Sequence, residues 1–189
     1  MQLVTLALLG LGGLTSAAPT LMHRTVSATQ YEISTLKTHF MGKNSGIADG
    51  SWPAGTEFNS TIELTIQYPG QSGAVNASAE STTCTASWPN GTHPVDWNAC
   101  ENENVGWKFT DFTTEAKFTV EVGRITGETS ADTGSVSIEA NNFASDDSWL
   151  TCIAGAPTTG IHCDLDGMLS KQKSPIPVAV TSGPVIGPF

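Results

Sequence analysis

Thr61-Ile62-Glu63-Leu64-Thr65-Ile66-Gln67-Tyr68 sets an apolar residue at every even position and a polar one at every odd position. A strand turns successive side chains to opposite faces, so this period of two predicts a β-strand with one buried and one solvated face. The pattern recurs where Phe118, Val120 and Val122 alternate with Lys117, Thr119 and Glu121, and again at Val105, Trp107 and Phe109. Val136 with Ile138, and Ile161 with Cys163 and Leu165, give shorter runs. A further strand is predicted over Tyr31 to Phe40, with a slip in its alternation near Thr35 and Leu36.

Turn-forming clusters separate these runs, among them Pro69-Gly70-Gln71-Ser72-Gly73, Pro89-Asn90-Gly91 and Thr133-Gly134. Charged residues make up only 14% of the chain, and Thr, Ser, Gly and Asn take the place of helix formers. Short strands on tight connections predict an all-β fold, a single compact antiparallel β-barrel or β-sandwich reinforced by two short-range disulfides.

Ahead of the strands, an apolar run from Leu3 to Leu14 leads into Thr15, Ser16, Ala17 and Ala18, small residues that a signal peptidase accepts. The run is about a dozen residues long, short of the roughly 20 that a membrane span needs. Residues 1–18 are therefore predicted to be a secretion signal and 19–29 a flexible lead-in. Residues 30–173 form the β domain, and 174–189, interrupted by Pro177, Pro184 and Pro188, an extended C-terminal tail. The expected localisation is secreted and extracellular, without attachment to a membrane.

Four cysteines, Cys84, Cys100, Cys152 and Cys163, stand behind that signal. Outside the cytosol such residues form disulfides. They allow three pairings, and the sequential one closes loops of about 15 residues, each worth about 3 kcal/mol in the chain-entropy picture. A metal site is not expected, because there is no CxxC spacing and His23, His39, His93 and His162 are scattered. His23 would serve a copper site only as a mature N-terminus, and cleavage after Met22 breaks the small-residue rule. Asn59, Asn76 and Asn90 each begin an Asn-x-Ser/Thr acceptor for N-linked glycans.

Eighteen acidic against eight basic residues give a formal charge of -10. That balance excludes a nucleic-acid binder, which needs a basic face for phosphates. Glu63, Glu101, Glu103, Asp111, Asp146, Asp147, Asp164 and Asp166 could supply the carboxylate pair of a glycoside hydrolase. No nucleophile elbow, HExxH or phosphate loop accompanies them, and solvated surface acids account for them more simply. Of the five tryptophans, Trp107 keeps step with Val105 and Phe109 and is expected in the core. Trp52, Trp88 and Trp97 are the candidate ligand-facing aromatics, since an exposed ring can stack on a sugar.

The order of these features resembles a known family. A strand around Tyr31-Glu32-Ile33-Ser34 is followed by a cysteine pair flanking a tryptophan, Cys84…Trp97-Asn98-Ala99-Cys100. Val105-Gly106-Trp107-Lys108-Phe109, Phe118-Thr119-Val120 and a second close cysteine pair complete the series. Over roughly Tyr31 to Gly167 the chain is similar to the fungal secreted β-barrel proteins related to the major Alternaria allergen. The resemblance implies bridges Cys84–Cys100 and Cys152–Cys163, fungal secretion, and a role as allergen, effector or elicitor without established enzymatic chemistry. The founding allergen dimerises through an extra N-terminal cysteine that this chain lacks, so no covalent dimer is expected.

The function expected from the sequence is that of a secreted, non-catalytic binding protein at a fungus–host interface. It would present the loops around Cys84 to Cys100 and Ala140 to Gly160 to an extracellular host protein and use no cofactor. The alternative is a cell-wall carbohydrate-binding protein, with cell-wall glycans or a small apolar ligand as partner. A secreted glycoside hydrolase comes third.

Overall fold

The computed structural model describes residues 29–42, 52–70, 78–156, 158–186 and 189. The signal segment, nearly all of the lead-in, His23 and Asn76 lie outside the described residues. Eleven strands form one sheet: β1 (Gln30–Phe40), β2 (Ser60–Pro69), β3 (Ala79–Trp88), β4 (Asn98–Ala99), β5 (Val105–Thr114), β6 (Lys117–Gly127), β7 (Ser130–Ala140), β8 (Ser148–Ala154), β9 (Ile161–Leu165), β10 (Ile176–Ala179) and β11 (Thr181–Pro184). No helix occurs among the described residues.

The alternation predicted from the sequence is the pattern of burial. Leu64 and Ile66 of β2, Val105 and Trp107 of β5 and Val120 and Val122 of β6 are all 0% exposed. Each such side chain contributes on the order of 1.5–3 kcal/mol by leaving water. The slip in β1 is a bulge: the register against β2 shifts between Ile33 and Thr35, which turns Ile33 and Leu36 to the same inner face.

The main path of the sheet runs β3-β2-β1-β9-β8-β7-β6-β5-β4. The space between β1 and β7 is filled twice over, end to end. The β8–β9 hairpin fills one half, and β10, paired to β1, with β11, paired to β7, fills the other. Residues 174–189, expected as a tail, thus contribute two strands, and Ile176 and Val178 are fully buried. Pro177 is tolerated because β10 is hydrogen-bonded to β1 alone.

Two details depart from a closed antiparallel barrel. β7 and β8 run parallel, an overlap of only two register pairs, Glu139↔Ser148 and Ala140↔Leu150. So short an overlap needs no long crossover, and Asn141, with φ of 55°, begins the reversal. The ladder also stops at β3 and β4. Their seam is held by the Cys84–Cys100 bridge, by the Glu101 N–H donating to Thr83 O at 2.9 Å and by the Asn102 N–H donating to Thr82 Oγ1 at 2.9 Å. Cys152–Cys163 instead staples directly opposed residues of β8 and β9.

The end of the sheet at which β1 begins is plugged by polar groups that satisfy one another. Tyr31 donates to Asp132 Oδ2 at 2.9 Å, and Ser182 donates to Asp132 Oδ1. Arg124 donates to Pro69 O at 2.6 Å and lies 4.3 Å from the centroid of the Tyr68 ring. Burial first, then the hydrogen bond and charge of Asp132, push the Tyr31 phenol far above its ordinary value.

Candidate functional site

The tryptophans proposed as ligand-facing do not share a surface. Trp88 is buried, edge-on to Phe109 at 5.9 Å. Its place at the inward-facing end of β3 explains this, since it alternates in phase with Cys84. Trp97 is covered on the outer face of the sheet. The Phe189 ring lies 5.0 Å from it, and Lys108 Nζ lies 4.7 Å from the centroid of the Trp97 ring. Trp52 is half-buried edge-on to Phe58 at 5.4 Å. Trp107 sits in the core, fully buried, as its phase predicts.

The end opposite the polar plug opens into a cleft of about 370 Å³. Phe40, Trp88 and Phe112 form its floor with the buried Ser60, and Thr92, His93 and Glu115 stand at its rim. His93, from the first disulfide loop, stacks on Phe112 at 4.8 Å with 16° between the rings. Asn90 lies on this rim and, with Asn59, lines an adjoining depression, so two of the three glycan acceptors converge on the open end. None of the eight carboxylates singled out in the sequence lines the cleft; Glu115 does. It occupies the β5–β6 turn, where no periodicity marks it.

Of those eight carboxylates, Glu63, Asp146 and Asp166 have structural partners. Lys37 Nζ lies 3.9 Å from Glu63 and Lys171 Nζ 2.6 Å from Asp146. The Lys171 ammonium, by hydrogen bond and then by charge, holds the Asp146 carboxyl below its ordinary value. Asp166 accepts from Ser174 N and Ser174 Oγ, both at 2.6 Å, and these bonds hold its carboxyl below 3.8. Among the described residues no three His, Cys, Asp or Glu side chains are grouped to hold a metal ion.

A second surface is built by two loops lying side by side, 141–147 after β7 and 166–175 after β9. The Lys171–Asp146 pair joins them, and Gln172 N donates to Ser148 O at 2.9 Å. Asn141 copies a strand partner: its amide donates to Cys152 O at 2.7 Å and accepts from Cys152 N at 2.9 Å. Asn142 Nδ2 donates to Glu139 at 2.7 Å, and its Oδ1 accepts from Ala144 N. In the second loop Lys173 Nζ donates to Asp166 O, Gly167 O and Ser170 Oγ. On these braced loops Phe143 is 59% exposed, Met168 90% and Leu169 41%. The sequence reading pointed to the first loop and missed the second. A lone Met-Leu pair between polar residues has no period to betray it.

Against family models, curated proteins and solved structures, the chain finds no match. Two disulfides with no cysteine left over fit an oxidising environment.

Proposed function

We propose that the protein is secreted and acts as a non-catalytic recognition protein, effector- or allergen-like, at a fungus–host interface. Its partner is a protein surface, apolar at the centre and basic at the rim, docked on loops 141–147 and 166–175. The supporting observation is the exposure of Met168, Leu169 and Phe143 on backbone fixed by side-chain hydrogen bonds. Such residues gain nothing in water and gain by being covered. Bracing the loops beforehand lowers the ordering cost on binding. On the loops Asp146, Asp147 and Asp166 outnumber Lys171 and Lys173, in a chain of formal charge -10, which favours a basic rim on the partner.

The test replaces Met168 with a photoreactive methionine analogue and irradiates the protein in plant apoplastic extract. One cross-linked protein is expected. Its capture should fall at least tenfold when Phe143→Ser or Leu169→Ser is combined with the analogue and stay unchanged with Ser81→Ala, an exposed residue of β3. Equal capture by all of these variants would overturn the reading.

A further inference from the structure

The outer face of β9, β1, β2 and β3 is hollowed into a groove of about 650 Å³. Register sets two rows of outward side chains across it. One row runs Asp164, Lys37, Glu63, Thr85, and the other His162, His39, Thr61, Ser87, each residue directly opposite the next on the neighbouring strand. Successive members of a row are therefore one strand spacing apart, about 4.8 Å. Between the rows Thr38, Ile62 and Ala86 pack on the core, leaving a floor of backbone.

A wall of stacked rings closes one side. His162 and His39 lie 4.0 Å apart at 11°, and His39 and Phe58 4.3 Å apart at 19°. The wall is fixed, because His39 Nε2 donates to Thr159 O at 2.7 Å. His162 is exposed, and its free face looks along the row toward Ile153, its opposite on β8, which is itself 62% exposed.

The charges decide the ligand class. Lys37 stands in register between Asp164 and Glu63, so the first row carries its own counter-charges. An anionic polymer would meet those carboxylates on a chain of formal charge -10. Mixed carboxylates, hydroxyls, an ammonium and imidazoles instead match a ligand whose hydroxyls both donate and accept. An extended β-linked glycan repeats at close to the strand spacing, so consecutive sugars meet consecutive strands.

From this we infer a second binding site: the groove takes an uncharged, extended β-linked polysaccharide lying across the strands, with one sugar over Asp164 beside the His162 wall and its neighbours over Lys37, Glu63 and Thr85. The site is separate from loops 141–147 and 166–175 and stands or falls independently of them.

Isothermal titration of the whole protein with neutral β-1,4- and β-1,3-linked oligomers of glucose and of N-acetylglucosamine, two to six units long, tests it. At least one series should bind, with affinity rising to four units, one per strand, and levelling beyond. His162→Ala, which removes the end of the wall, and Thr85→Arg, which blocks the far end, should each weaken binding at least tenfold. Both positions are exposed, and an unchanged melting temperature will show that the variants fold. Met168→Asp should bind as the parent does. Absence of binding in every series, affinities indifferent to both groove substitutions, or binding confined to charged polymers and abolished by salt would each overturn the inference.

Discussion

Gly106 and Gly123 oppose each other across β5 and β6, and their missing side chains form a trough for the end of the chain. A Cβ at 106 would come within 2.4 Å of Phe189 Cδ1, and one at 123 within 2.6 Å of Ile186 Cδ1. Gly106→Ala is thus expected to expel the Phe189 ring from Trp97 and to cost about 1–3 kcal/mol in urea unfolding. In a Phe189→Ala background the same change should be neutral or stabilising, because glycine within a strand is itself unfavourable by about 0.5–1 kcal/mol. Equal costs in both backgrounds would show that the ring is not what the glycines accommodate. This contact also shows where sequence reading ends for single residues. Trp107 could be assigned to the core because it shares the phase of its own strand. The fate of Trp97 depends on Phe189, which no local pattern connects to it.

At the scale of elements, the loop after β9 depends on one carboxylate. Asp166 adopts a φ of 62° and accepts both bonds from Ser174. Since its folded-state pKa lies below the ordinary 3.8, its contribution to stability is complete above that value and is lost as pH falls through the depressed one. Asp166→Asn keeps a side chain that tolerates this backbone and removes the charge. Its melting temperature should lie below that of the parent at pH 6, and the gap should close on acidification well below pH 3.8. A gap constant with pH would assign the loss to shape instead. The sequence reading found β2 by its unbroken period of two, β6 by that of its first half, and β1 despite its slip. β8 was invisible because Leu150, Thr151 and Cys152 are buried in succession, which erases the alternation. β10 and β11 were obscured by their prolines, which a one-sided partner makes harmless.

For the whole molecule, the two disulfides have unequal tasks despite similar loops. In the chain-entropy picture each is worth about 3 kcal/mol. Cys152–Cys163 joins strands already in register, whereas Cys84–Cys100 holds a seam with no ladder. Cys84→Ala/Cys100→Ala should therefore lose at least 3 kcal/mol, as a rough figure, and speed amide exchange along β3 and β4. Cys152→Ala/Cys163→Ala should lose less and leave that seam protected. Denaturant unfolding with hydrogen exchange distinguishes the two, and equal losses would mean that the seam stands without its bridge. The joint between β1 and β7, filled end to end by two separate strand pairs, has another consequence. Loop 166–175 spans that joint while its tip, with Met168 90% exposed, contributes nothing to the packed interior. Replacing such surface residues shifts stability by only about 0.5 kcal/mol. The tip is in effect a cassette: descendants of this chain can rewrite it while inheriting the frame intact.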